Sequence, residues 1–202
     1  MSRARVAVLI SGNGSNMVAL IEAARDPACP FEVVCVLSNK PDAPGLARAH
    51  DMGVEALAVD QRPFGKDRAA HEAVLQTELL ARDVEWVALA GYMRLLTPGF
   101  VAAWQGRMLN IHPSLLPKYP GLDTHRRALE AGDAEAGCTV HHVVAEMDAG
   151  PIIAQARVPV LKGDTPETLA SRVLVAEHQL YPAALAKAVT AHEKGPRVTP
   201  EA

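Results

Sequence analysis

The chain has 202 residues, 49% hydrophobic and 21% charged, enough apolar content to bury a core of its own. A formal charge of −3 with dispersed Lys and Arg leaves no basic stripe for a nucleic acid, and no long apolar span suits a membrane. Three cysteines, Cys29, Cys35 and Cys138, are odd in number and lack paired spacing, which argues against a disulfide framework or a zinc knuckle and for a reducing, cytoplasmic setting.

Apolar runs recur in chain order at Val6 to Ile10, Phe31 to Leu37, Val54 to Val59, Trp86 to Ala90 and Met108 to Ile111. They are nearly continuous rather than alternating, the pattern of strands covered on both faces. The segments between them carry helix signals, among them Thr97 as an N-cap before Pro98 and Asp164-Thr165-Pro166-Glu167 opening the last long helix. Pro182 is expected to break or kink that helix after Tyr181. A proline-rich loop from Pro113 to Gly121 precedes a short helix around Arg126 to Ala131. Two further strands, Cys138 to Val144 and Ile152 to Val160, joined by a turn at 146–151, read as an antiparallel pair. The expected architecture is α/β: a Rossmann-like, mainly parallel sheet with helices on both faces and an antiparallel C-terminal addition.

Two places carry chemistry. The first strand runs into Ser11-Gly12-Asn13-Gly14-Ser15-Asn16 and then into an Ala-containing helix. Glycines let backbone N–H groups approach an anion, and the helix N-terminus adds partial positive charge, so a phosphate is expected here. No Gly-Lys-Ser/Thr follows, Met17 occupies the third glycine position of a dinucleotide fingerprint, and Ser38-Asn39-Lys40 ends the second strand without a ribose-binding acid. A phosphate monoester therefore fits better than NAD. The plain alternative is a tight turn with no ligand.

At the second place, Asn110-Ile111-His112 ends a strand, and period-two geometry turns Asn110 and His112 to one face and Ile111 to the core. An amide beside an imidazole can donate hydrogen bonds to an oxygen that becomes negative during acyl transfer. Asp148, in the later turn, is a candidate to orient or protonate His112. The alternatives are a structural histidine and a turn-forming aspartate. Ser114 and Cys138 lack the setting of an activated nucleophile, and the neighbouring His141 and His142 should face opposite ways, so no metal site is expected.

Five segments, Ser11 to Asn16, Ser38 to Lys40, Ala90-Gly91-Tyr92-Met93-Arg94, Asn110 to Pro117 and Asp148 to Pro151, occur together in the order and spacing of one family. With them the chain resembles the folate-dependent glycinamide ribonucleotide formyltransferases. The resemblance implies transfer of the formyl group of 10-formyltetrahydrofolate to the amine of 5'-phosphoribosylglycinamide, by Asn110, His112 and Asp148, without a metal. It implies that Gly12, Asn13, Gly14 and Ser15 hold the substrate phosphate and Glu177 the ribose. Arg68, Met93, Arg94, Leu95 and Leu96 match folate-side positions, with Asn110 and Asp148 also lining that pocket. His142, which follows the motif histidine His141 where an aromatic residue is usual, and Asp123, where some relatives have histidine, depart from the pattern. A single domain over 1–190 is expected, with a phosphate half about 1–100, a folate and catalytic half about 101–190, and a flexible tail over 191–202. The absence of room for an added domain and Pro113 after His112 favour the small nucleotide over a tRNA acceptor; small molecules are the expected partners, with a homodimer left open. Another folate-dependent formyltransferase, a formyl-donor hydrolase and a nucleotide-binding module without catalysis are the competing readings.

Overall fold

The computed structural model describes residues 3–194. In chain order the elements are β1 (Ala4–Ile10), α1 (Ser15–Ala24), β2 (Phe31–Ser38), α2 (Pro44–Asp51), β3 (Glu55–Ala58), α3 (Arg68–Leu80), β4 (Trp86–Leu89), α4 (Pro98–Ala103), β5 (Met108–His112), α5 (Thr124–Glu130), β6 (Glu135–His142), β7 (Ile152–Pro159) and α6 (Pro166–Lys194). A single 3-10 turn, Arg62–Phe64, lies between β3 and α3. One seven-stranded sheet, ordered β3-β2-β1-β4-β5-β6-β7, runs through the molecule. The first five strands of that order are parallel, and β6 and β7 are antiparallel additions.

The continuous apolar runs have the expected cause. Alternate residues of β1 enter two separate cores: Val6, Val8 and Ile10 pack with Met17, Leu20 and Ile21 of α1 and with Tyr181, Leu185 and Val189 of α6. Ala7 and Leu9 pack on the other face with Leu75 and Leu79 of α3 and Phe100 and Val101 of α4. A strand buried on both sides cannot alternate apolar with polar. After β3 the chain returns to the opposite side of β1 to place β4, so β1 and β4 flank the topological switch point, and a crevice opens at their carboxyl ends.

Two expectations need correction. Of the break or kink expected at Pro182, the break does not occur: α6 continues to Lys194 with the proline inside it. The proline costs one helical hydrogen bond, but the following turns are held by the buried Ala184, Leu185 and Val189. Its neighbour Tyr181 is fully buried, with its hydroxyl 3.0 Å from the carbonyl oxygen of Leu89 and 3.2 Å from that of Leu109, which ties α6 to the fork between β4 and β5. β6 begins at Glu135 and ends at His142 rather than spanning Cys138 to Val144. Gly150 presses against the His142 carbonyl, where an added Cβ would meet the oxygen at 1.8 Å, and Val143 turns to donate to Met108. Residues 191–194 of the expected tail are helical, and 195–202 lie outside the described residues.

Candidate functional site

The glycine segment lies at the carboxyl end of β1, in the switch-point crevice. Gly14 caps α1 in the left-handed conformation (φ 68°, ψ 34°), and no side chain caps this helix, so its first N–H groups face outward unclaimed by a side-chain oxygen. A non-glycine residue at Gly14 would be strained by that φ and would also bring a Cβ to 3.1 Å from the Met17 Cε. Met17, which breaks the dinucleotide fingerprint, is instead core. Gly12 is different: an added Cβ there meets nothing within 4 Å. Gly45, at the start of α2, donates to the Gly12 carbonyl at 3.0 Å and holds the segment from behind. Asn13 is exposed and Ser15 half-buried.

Glu177 of α6 reaches this segment across the domain. Its carboxylate, 7% exposed, accepts a 2.6 Å hydrogen bond from the Asn16 side-chain amide. Burial pushes the Glu177 carboxyl up, and the Asn16 bond partly offsets this. The Asn16 Oδ1 is buried and without a protein partner. The two expected halves of the chain therefore meet at one site.

On β5, Leu109 and Ile111 enter the α6-side core, while Asn110 and His112 face the other way, as period two demands. His112 Nε2 lies 2.9 Å from the Tyr119 carbonyl oxygen, and Nδ1 lies 3.4 Å from the Asp148 carboxylate. Each ring nitrogen thus faces an oxygen, Nε2 the Tyr119 carbonyl and Nδ1 the Asp148 carboxylate. Asp148 sits in the left-handed region (φ 54°) and accepts 2.9 Å from the Gly121 N–H, which fixes its carboxylate between the two loops.

Register adds a residue that sequence reasoning set aside. Antiparallel pairing puts His141 opposite Asn110, with its Nε2 3.2 Å from Asn110 Nδ2 and 3.7 Å from Asp148. His141 Nδ1 lies 2.9 Å from the His142 carbonyl oxygen, so it carries the proton and leaves Nε2 as an acceptor for the amide. Burial, the largest influence, pushes the His141 imidazole down and keeps it neutral. Asn110 thereby has one amide hydrogen engaged and one left for another acceptor. No pattern in the sequence pairs these two residues; the signal lies in the β5–β6 register. Gly45 and Tyr119, the bond from Asn16 to Glu177 and the bond from Gly121 to Asp148 were likewise not foreseen. His142 has its Nδ1 buried without a protein partner, and Asp123 pairs with Arg126 at 2.6 Å; neither touches His112.

The segment after β4 forms the third wall. Its apolar side chains Met93 and Leu95 stand 65% and 60% exposed beside the crevice, and Leu96 packs on the α3-side core. Met93 N–H donates 2.8 Å to Ser11 Oγ, Arg68 at the start of α3 donates 3.3 Å to the Leu95 carbonyl, and Arg94 donates 3.0 Å to Gln61. Thr97 is the expected N-cap of α4, and its own N–H and hydroxyl donate to the buried Glu72 of α3. Arg68, Met93, Arg94, Leu95 and Leu96 thus lie on one wall, contiguous with the glycine segment.

Among the described residues no cluster of three or more His, Cys, Asp or Glu is arranged to hold a metal ion, and no helix is long and apolar enough to cross a membrane. The formyl transferase family profile matches residues 4–185. The trifunctional purine biosynthetic protein adenosine-3 of Drosophila melanogaster is 50% identical over 189 residues, 93% of this chain, and the chain spans 14% of that protein's length. Phosphoribosylglycinamide formyltransferase of Escherichia coli K12 is 49% identical over 178 residues, 88% of this chain and 83% of that one. The solved phosphoribosylglycinamide formyltransferase of Brucella melitensis superposes with a TM-score of 0.89 at 54% identity, covering 93% of this chain and 96% of that one. With sheet order, strand direction and sequence all in agreement over most of its length, the chain belongs to the formyl transferase family.

Proposed function

We propose that this chain transfers the formyl group of 10-formyltetrahydrofolate to the amine of 5'-phosphoribosylglycinamide. The products are 5'-phosphoribosyl-N-formylglycinamide and tetrahydrofolate. The observation that carries the reading is the placement of His112, held between Tyr119 and Asp148 and next to Asn110, at the same carboxyl-end side of the sheet as a helix N-terminus that no side chain caps. Formyl transfer needs donors for a developing oxyanion, and a nucleotide acceptor needs a phosphate site; the crevice offers both.

In this mechanism the Gly12 to Ser15 segment holds the phosphate through backbone N–H groups, and Glu177 holds the ribose hydroxyls. The wall from Met93 to Leu96, with Arg68, takes the folate. The neutral amine attacks the formyl carbon. As the carbonyl π pair moves onto oxygen, the free amide hydrogen of Asn110 and the His112 Nδ1 proton stabilise it. The 3.4 Å separation from Asp148 is too long for a tight hydrogen bond, so that proton is available to the substrate. Collapse of the tetrahedral adduct breaks the bond to N10 of the folate, and the proton lost by the amine ends on N10. Asp148 supports the charge on His112 throughout.

Purified protein supplied with both substrates should release tetrahydrofolate, followed by absorbance, at a rate that requires the nucleotide. Equal turnover without the acceptor, with free formate as product, would overturn the proposal in favour of a hydrolase. Preferential labelling of a charged tRNA by a labelled formyl donor would replace the acceptor.

A further inference from the structure

The carboxyl ends of β1, β2 and β4 are joined by a chain of side-chain hydrogen bonds that the proposed reaction does not use. Ser11 is buried, and its N–H donates 3.1 Å to the Gly91 carbonyl while its Oγ accepts 2.8 Å from the Met93 N–H. A hydroxyl has one proton, and here it goes to the Asn39 Oδ1 at 2.6 Å. That assignment orients the Asn39 amide, which is 2% exposed, and points its Nδ2 at the Gln61 Oε1, 2.8 Å away. The same Gln61 oxygen accepts 3.0 Å from the Arg94 guanidinium. Gln61 N–H donates 3.1 Å to the Asn39 carbonyl, which locks the pair at the backbone as well. The bonds from Ser11 to Asn39, from Asn39 to Gln61 and from Arg94 to Gln61 fix the orientation of both amides, and the chain ends on a cation whose Nε is buried without a protein partner.

The segment held by this chain has no regular secondary structure between β4 and α4. Tyr92 and Leu96 pack on the α3-side core at either end, and between them the other hydrogen bonds of residues 93–95 to distant parts of the chain are the exposed contacts of Arg68 with the Leu95 carbonyl at 3.3 Å and of Arg94 with the Gly65 carbonyl at 3.5 Å. We propose that Asn39 and Gln61 are positioning residues for the formyl-donor wall: through Ser11 on one side and Arg94 on the other they set the backbone of residues 93–95. The inference rests on the assignment of Met93 to Leu96 to the folate. Gln61 acts only through an oxygen that accepts two hydrogen bonds, so its chemistry is separable from its shape. Glu at 61 retains that acceptor and adds charge toward Arg94, whereas Leu removes it.

The test uses the full chain and three variants, with folding checked by circular dichroism. Tetrahydrofolate affinity is measured by calorimetry, and kcat and both KM values by steady-state turnover. Gln61→Leu should weaken tetrahydrofolate binding and raise KM for the formyl donor on the order of 10-fold, the scale of one lost charge-assisted hydrogen bond. Its kcat and its KM for the nucleotide should stay within about threefold, which separates loss of binding from loss of chemistry. Gln61→Glu should remain within about threefold of wild type in every constant. Asn39→Asp keeps the Ser11 acceptor but draws the Gln61 amide nitrogen toward the new carboxylate, withdrawing the acceptor from Arg94. It should show the same selective rise, and it carries the test if Gln61→Leu does not fold. Unchanged donor affinity in a folded Gln61→Leu, equal loss in kcat and both KM values, or failure of Gln61→Glu to recover would overturn the inference. Failure of the wild-type chain to bind tetrahydrofolate at all would instead overturn the folate assignment beneath it.

Discussion

Asn16 and Glu177 stand 161 positions apart in the chain and share a 2.6 Å hydrogen bond in a buried setting, joining the helix that follows the glycine segment to the middle of the last helix. The bond ties a proposed ribose contact to the first turn behind the proposed phosphate segment. Its cost is a carboxylate kept from water.

That cost has a pH signature. Burial raises the Glu177 carboxyl above its ordinary 4.5 in the folded chain, so the folded state keeps this proton at pH values where the unfolded chain has lost it. Stability contributed by the group is therefore largest at low pH and falls as pH rises through the folded value. Glu177→Gln keeps an acceptor for Asn16 and removes the charge. Its melting temperature relative to wild type should be more favourable at pH 8 than at pH 4.5, while KM for the nucleotide rises about 10-fold through the lost charge-assisted contact. Calorimetric melts at both pH values check the first part; a pH-independent difference would rule it out.

Gly12 and Gly14 should respond differently to substitution. Gly12→Ala places a methyl in open space, so the fold should be retained and the loss confined to an anion approaching the segment. Nucleotide affinity should fall at least about 10-fold with folate affinity unchanged, because backbone access to a phosphate is obstructed. Gly14→Val should weaken the nucleotide too, but with a stability loss of about 1–3 kcal/mol from the left-handed backbone. Titration of each ligand, beside thermal melts, distinguishes the two; full nucleotide affinity in Gly12→Ala would remove this segment as the phosphate site.

Asp148→Asn separates charge from shape. Asparagine tolerates the positive φ and can still accept from Gly121, so the loop should stay in place. Turnover should drop roughly 10²–10⁴-fold, the range for general acid–base support, with KM values little changed. His112→Asn and the double variant should be strongly non-additive. Measured kcat within about threefold of wild type from about pH 6 to 9 would leave no place for Asp148 in proton support.

His141 should matter through Asn110. His141→Leu removes the acceptor that orients the Asn110 amide, and kcat should fall about 10- to 100-fold, short of the loss for a direct oxyanion donor. His141→Gln can still offer an oxygen to that amide and should recover much of the loss. A kcat that ignores both substitutions would make His141 a packing residue.

Strand positions in the parallel half were legible because both faces of β1, β2 and β4 are covered, which writes itself into unbroken apolar runs. The start of β6 was not. Ala136 and Gly137 have little strand propensity, and Gly137 is there because a Cβ would meet the Ala156 carbonyl at 2.0 Å, a cross-strand fact. Asn110 and His112 could be read from period two, whereas His141 required knowing which strand lies opposite. Glu177 and the wall from Met93 to Leu96 entered through the family resemblance, since neither spacing nor composition connects residue 177 to residue 16. Gln61 carries no motif; only the folded chain brings it to Asn39 and Arg94.

The proline in the last helix has a consequence for how that helix loosens. Pro182 has no N–H for the His178 carbonyl, so the hydrogen-bond ladder is one rung short directly after Tyr181. Amides beyond 182 should exchange with solvent deuterium through a local opening that leaves the turns carrying Glu177 closed. The distal turns then depend on the packing of Ala184, Leu185 and Val189, while Tyr181, clamped on Leu89 and Leu109, holds the end that carries Glu177.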